Sequence, residues 1–372
     1  MFGIKNIHSE HKPDFLLIVF IFIIIAFGLV MLASASSDLA KMEFGNSYFY
    51  LNHQLLYGLL PGLIGFFIAS NIYYQNYKKL IIPLFILNII LLVLVFSPLG
   101  VTSGGASRWL NIGLIFQPSE FLKIFFIIYI AAWLSGGEKR KNSFWGGFVP
   151  FLAICGLISF LLLIQPSTSI VAILMLTALL IYFVSGAKIS YILITIALAA
   201  TVFFGFLYLA PDSYRTQRIM SFMDPNQNVL SANYQINQSL IAIGSGNIFG
   251  VGYGESTTKI RYLPEPIGDS IFAVIAEELG FVGGIALILC FLILITRIFI
   301  LAKRSRDHFA QLLLVGFGSL IGIQVFVNMG SISGLIPLTG VPLPFISYGG
   351  TALAVFMTIS GIIVNITKHE KN

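Results

Sequence analysis

The sequence predicts an all-α integral membrane protein with about ten transmembrane helices, and three observations predict it. Of its 372 residues, 57% are hydrophobic and only 10% are charged, against about 25% charged in a soluble domain. Apolar runs of roughly 20 residues, the length that crosses a hydrocarbon core, recur from one end of the chain to the other. A single large hydrophilic piece, about 211–268, interrupts them. The composition excludes a disordered chain, a coiled coil and a disulfide-stapled domain. The net charge of +6 does not call for nucleic acid, because basic cytoplasmic loops account for it.

The spans fall at about 15–35, 54–70, 79–97, 119–134, 147–164, 168–184, 190–210, 269–300, 309–328 and 348–366, within one polytopic domain covering 1–372. The first ends in Leu32-Ala33-Ser34-Ala35-Ser36, which resembles a signal-peptide cleavage site. Its apolar run is longer than a signal core and nine more spans follow, so a retained signal anchor is expected. Span four carries Glu120 and Lys123, and only a tight turn at 165–168 separates spans five and six. Span seven leads into the hydrophilic piece, where Leu230, Tyr234, Ile236, Leu240 and Ile243 recur at roughly helical spacing and predict a surface helix over 226–244. Span eight is long enough to begin above the membrane. Before span ten, Pro342, Pro344, Gly349 and Gly350 mark irregular backbone at membrane depth, which is tolerated where it is buried or lines a cavity.

Orientation follows from the basic residues. With the N-terminus inside, Lys41, Arg108, Lys123, Arg215, Arg218, Lys259 and Arg261 fall on the outer side or in spans entered from it, and the remaining fourteen of the 21 Lys and Arg residues are cytoplasmic. Both termini are therefore expected in the cytoplasm and the large loop outside. Cys155 and Cys290 lie inside apolar runs and read as small core residues. The five histidines are dispersed, which argues against a histidine-built metal site.

Ionisable residues at or within spans are functional candidates by default, and here they are Glu120, Lys123, Asp269, Glu277 and Glu278. Asp269 opens span eight just after Leu263-Pro264-Glu265-Pro266-Ile267-Gly268. It reads either as the helix N-cap or as a general base whose pKa interfacial burial raises. Glu277 and Glu278 lie 12–14 Å deeper at about 1.5 Å per residue, with Lys123 as the expected buried cation for one of them. Arg108, Arg215, Arg218, Lys259 and Arg261 read either as solvated loop charges or as a cluster that would stabilise a departing pyrophosphate. The glycine run from Gly244 to Gly254 lacks the strand-turn-helix setting of a nucleotide loop and reads as a flexible turn. Trp109 reads as an interfacial anchor.

Several segments together resemble the SEDS family (shape, elongation, division, sporulation). They are Gly105 to Leu110, Gln117 to Lys123, Gln238 to Gly246, Tyr262-Leu263-Pro264-Glu265, Asp269 to Ala273 with Ala276 to Gly280, and Pro342 to Gly350. The likeness covers nearly the whole chain, and the stretch Gly252 to Lys259 is more similar to the division branch than to the elongation branch. The resemblance implies a peptidoglycan glycosyltransferase of the bacterial cytoplasmic membrane, acting at the division septum, with Asp269 as the essential carboxylate. It also implies lipid II and the nascent glycan strand as substrates, and a class B penicillin-binding protein, other division proteins and membrane lipids as partners. Candidate substrate-binding residues are Arg108, Glu120, Lys123, Arg215, Arg218, Lys259, Arg261, Glu265, Glu277, Glu278 and Ser347. No organic cofactor is expected, and the sequence leaves Mg²⁺ or Mn²⁺ open.

Two departures qualify the likeness. Many members carry His-Thr before the aspartate where this chain has Ile267-Gly268, so no histidine relay operates at that position. The family's Gln-Pro-Asp-Leu-Gly appears as Gln165-Pro166-Ser167-Thr168-Ser169, which removes a second acidic group. The competing functions are a lipid II flippase and a non-catalytic division scaffold. A flippase would gather polar groups at the bilayer midplane, whereas here they gather towards the outer edge, and a scaffold would not need Asp269.

Overall fold

The computed structural model describes residues 12–103, 106–113, 115–209, 214–223 and 232–370. Each of the ten apolar runs forms a helix: α1 (Phe15–Phe44), α2 (Phe49–Asn71), α3 (Tyr74–Leu94), α4 (Pro118–Leu134), α5 (Phe144–Ile164), α6 (Thr168–Val184) and α7 (Ile189–Leu209) before the large loop, then α10 (Ile271–Arg304), α11 (His308–Ile332) and α12 (Gly350–His369) after it. Within the loop lie α8 (Tyr214–Met223) and α9 (Ala232–Ser245). The surface helix expected over 226–244 thus begins at Ala232, and residues 226–231 lie outside the described residues. Eight of the ten helices are long and apolar enough to cross a membrane; α4 and α6 are shorter, at 17 residues each, and α4 also carries the charges Glu120 and Lys123.

The all-α expectation needs one addition. Residues between α3 and α4 form a small antiparallel sheet of β1 (Gly100–Ser103), β2 (Ala106–Asn111) and β3 (Ile115–Phe116) in the order β1-β2-β3. Val101 pairs with Trp109 and Leu110 with Phe116. Strands this short give little alternation to read.

The bundle is layered about α11 and α12, which are buried along most of their length, whereas the apolar window of α7 has no buried residue. Lipid tails are as apolar as leucine, so helices here meet through close packing of small residues. The contact of α2 with α12 shows this: a Cβ on Gly361 would fall 2.4 Å from the Phe66 carbonyl oxygen, and one on Gly350 would fall 2.6 Å from that of Tyr57. In α1 the consecutive small residues Ser34, Ala35 and Ser36 are all buried, and Ser34 Oγ donates to Glu278 Oε1 at 2.6 Å.

Span eight is broken. Gly280, the tenth of the 34 residues of α10, takes φ 68° and ψ −166°, a conformation open to glycine and closed to other residues. The break frees backbone groups that must find partners elsewhere, and the glycine run supplies them. Val251 and Gly252 amides donate to the Glu277 and Glu278 carbonyls at 3.0 and 3.1 Å, while the Phe281 and Val282 amides donate to the Asn247 and Ile248 carbonyls at 2.9 and 3.1 Å. A Cβ on Gly246 would lie 2.0 Å from the Ala276 oxygen. The run expected to be a flexible turn is instead bound edge-on into a helix break.

Candidate active site

The half-helix 271–279 ahead of the break is buried almost throughout, and Asp269 stands two residues before it. The N-cap of α10 is Ser270, without a side-chain cap bond, so the capping role considered for Asp269 does not hold. Its carboxylate accepts a hydrogen bond from Gln235 Nε2 of α9 at 3.1 Å, and the same nitrogen reaches Ser270 Oγ at 3.0 Å. The Asp269 carbonyl accepts from Asn328 Nδ2 of α11 at 2.8 Å. The residue is held from two elements at once, its side chain by α9 and its backbone by α11.

Burial pushes the Asp269 carboxyl up to about 6, and the neighbouring Glu265 charge pushes the same way. The Gln235 hydrogen bond and the Arg218 charge work in the opposite direction. Desolvation prevails, leaving a carboxylate that is ionised at neutral pH yet more basic than an exposed aspartate. Glu265 sits at φ 48°, its carbonyl taking the Gly268 and Ser270 amides at 3.0 and 3.2 Å. This turn brings its carboxyl beside Gly268.

Irregular backbone before α12 forms the opposite wall, and side chains satisfy it. Ser347 Oγ donates to the Gly268 carbonyl at 2.7 Å and accepts from the Leu343 amide at 2.7 Å. The Tyr348 amide donates to the Ile267 carbonyl at 2.8 Å. Asn328 Nδ2 also donates to the Val341 carbonyl at 2.7 Å, and Gln324 Nε2 to that of Pro342 at 2.9 Å. The segment is largely buried within the protein, with Val341, Leu343, Phe345, Ile346 and Ser347 all inside, the setting in which irregular backbone beside a span is tolerated. A Cβ on Gly340, at φ 66°, would lie 3.7 Å from Asp269 Oδ2 and 3.8 Å from Arg218 Nη1. Bare backbone therefore underlies the gap between carboxylate and guanidinium.

Of the candidate cations, Arg218 of α8 is the one seen at Asp269, with Nη1 also donating to the Leu338 carbonyl at 3.2 Å. Arg108 of β2 instead reaches the Gln165 and Pro166 carbonyls at 3.1 and 2.5 Å, bracing the turn between α5 and α6. Ser167, in that turn, donates to the Gln165 carbonyl. The side chains of Arg215 and Arg261 lie outside the described residues.

The buried ion pairs differ from expectation. Lys123 does not reach Glu277 or Glu278; it pairs with Glu120, one turn earlier in α4, at 2.7 Å and donates to Gln324 Oε1 at 3.1 Å. The cation for Glu278 is Lys259, at 2.7 Å, which also donates to Ser34 Oγ and the Gly254 carbonyl. Glu277 accepts from Ser256 Oγ at 2.6 Å, the Thr257 amide and the Thr258 hydroxyl. Lys259 is thus no loop cation facing a ligand. It fastens a four-residue turn (Thr258–Arg261) to the half-helix that follows Asp269. Sequence reasoning missed Gln235 and Asn328; a buried amide on an apolar helix was the only available signal for either.

Among the described residues no group of three or more His, Cys, Asp and Glu could hold a metal ion.

Comparison with known proteins agrees over the whole chain. A cell cycle protein family, that of FtsW, RodA and SpoVE, matches residues 14–372. The chain is similar to the stage V sporulation protein E of Bacillus subtilis (37% identical, covering 98% of this chain and 99% of that one). It is also similar to a probable peptidoglycan glycosyltransferase FtsW of Geobacter sp. (38%, covering 96% and 97%). Among solved structures it superposes on a chain of a peptidoglycan synthase complex, described as coordinating polymerization and crosslinking, with a TM-score of 0.80 at 26% identity (96% and 98% covered). The rod shape determining protein RodA of Thermus thermophilus gives a TM-score of 0.68 at 28% identity (96% and 97% covered).

Proposed function

Because the chain belongs to the FtsW, RodA and SpoVE family of cell cycle proteins, we propose that it is a peptidoglycan glycosyltransferase of cell division, and that Asp269 is its general base. The observation that carries the assignment of the base is a half-buried carboxyl poised at about 6, with Arg218 across bare Gly340 backbone. Lipid II is the substrate in this reading, presented from the outer leaflet with its prenyl tail in the bilayer. Asp269 takes the proton from the 4-hydroxyl of the acceptor's N-acetylglucosamine. That oxygen attacks the anomeric carbon of the donor's N-acetylmuramic acid with inversion, and the bond to prenyl pyrophosphate breaks.

The pyrophosphate leaves as an anion and needs no acid, so one carboxyl suffices where glycoside hydrolysis uses two. Arg218 is the described cation nearest to where that charge grows, and charge that grows in the transition state is what a fixed cation stabilises best. A class B penicillin-binding protein is the partner we propose for cross-linking the strand, and the septum the place of action. Support for the partner comes from the likeness to a chain of a peptidoglycan synthase complex.

The test is polymerisation of labelled lipid II by purified protein in detergent, where there is no membrane for a flippase to cross. Asp269→Asn, which keeps the shape and loses the base, is expected to make no polymer. Polymer yield near wild type would end the assignment.

A further inference from the structure

The search for unassigned chemistry leads to the junction of α1 and α2. Six aromatic side chains there form one contiguous surface. Phe44 stacks on Phe49 with centroids 3.8 Å apart, Phe49 meets Tyr50 edge-on at 5.6 Å, and Tyr50 meets Tyr348 edge-on at 5.1 Å. His53 continues the row to Tyr57 at 4.6 Å. Their faces are not sealed: Phe44 is 50% exposed, Phe49 36% and Tyr57 51%. Polar groups are interleaved with the rings. Tyr50 donates to the Glu43 carboxylate at 2.5 Å, and the Tyr348 hydroxyl bonds His53 Nδ1 at 2.9 Å.

The cluster is continuous with the site. The Tyr348 amide is bonded to the carbonyl of Ile267, two residues from Asp269.

We propose that this cluster is a saccharide subsite, holding a pyranose ring of the glycan next to Asp269; the proposal rests on the glycosyltransferase reading. A pyranose offers a face of polarised C–H bonds to the negative face of an aromatic ring, and equatorial hydroxyls to groups at the ring edges. Exposed rings alternating with a carboxylate and an imidazole match both halves of that ligand. An aromatic belt at headgroup depth would not call for a carboxylate among the rings, since Glu43 repels anionic headgroups and accepts sugar hydroxyls.

The experiment uses the full chain in detergent with chitotetraose, a soluble β-1,4-linked amino-sugar tetramer. Saturation-transfer NMR on the wild type should carry magnetisation from aromatic protons to the sugar ring protons, a readout that needs no variant. Phe49→Ala and Tyr57→Ala should each weaken chitotetraose binding about tenfold, while Phe49→Tyr and Tyr57→Phe retain it. Asp269→Asn should bind the sugar as the wild type does while making no polymer, which separates failure of this subsite from failure of the base. Unchanged affinity in both alanine variants, or transfer to detergent and lipid without transfer to the sugar, would overturn the proposal.

Discussion

At the residue scale, the unusual quantity is the basicity of Asp269, and its causes predict the pH behaviour. The general base we propose at Asp269, poised at about 6, would be active only when deprotonated, so polymerisation should fall about tenfold per pH unit below 6 and level off above it. Glu265 raises the carboxyl and the Gln235 bond lowers it. Glu265→Gln should therefore move the acid limb to lower pH, and Gln235→Leu to higher pH. Initial rates between pH 4.5 and 8 check both, and limbs that do not move would deny these neighbours their influence. The same shift has a cost in stability. A carboxyl whose folded pKa lies above its unfolded 3.8 contributes stability that is full below that value and lost as pH rises through about 6. Asp269→Asn should thus be more stable than wild type at pH 7.5, by about 1–3 kcal/mol, and indistinguishable from it below pH 4. Thermal unfolding at the two pH values reads the difference, and an inactive yet stabilised variant rules out misfolding as the cause of inactivity.

At the element scale, α10 matters most, because it is two pieces held by the chain that precedes it. Gly280→Ala would force a Cβ to within 2.3 Å of the Gly250 nitrogen at a φ of 68°, and should cost about 3 kcal/mol or more. A thermal midpoint within two degrees of wild type in detergent, on the order of 1 kcal/mol or less, would mean the break relaxes easily. Lys259 and Glu278 are both fully buried, so removing either partner strands a charge and should cost about 3–5 kcal/mol. Lys259→Met combined with Glu278→Gln should cost much less than the two single changes together; additivity would show that they do not act as a pair. The limits of sequence reading are plain in this element. Helix existence was legible because each span is a long apolar run, and Asp269 because of the motif around it. The partner of Glu278 was not, because Lys259 returns to it only after the glycine run has threaded the break. Lys123 misled for a related reason: its partner was Glu120, one turn away on its own helix. Ser347 lies within a motif legible from the sequence, yet its hydroxyl is engaged with Gly268 and Leu343; only the folded loop shows that it joins two walls of the site.

At the scale of the whole molecule, the site is assembled at one end of the bundle from α8, α9, the start of α10, α11 and the segment before α12. Orientation in the bilayer follows from the basic residues and has its own test. Cysteines introduced as N46C and E255C should react with an impermeant maleimide added to intact cells, and K303C only after permeabilisation; labelling of K303C from outside would invert the topology. The broken helix also fixes an order of events during synthesis. The ribosome releases residues 246–252 before 277–282, so four hydrogen-bonding groups of that loop must wait for partners still inside the exit tunnel. Residues 281–304 are by themselves long enough to enter the bilayer as a plain span, and nothing in that entry requires the loop. Insertion and maturation of the site are then separate steps, the second being the docking of the waiting loop against a helix already in the membrane. Pulsed hydrogen exchange during cell-free synthesis into nanodiscs should accordingly find the amides of Phe281 and Val282 protected last, after the rest of their helix.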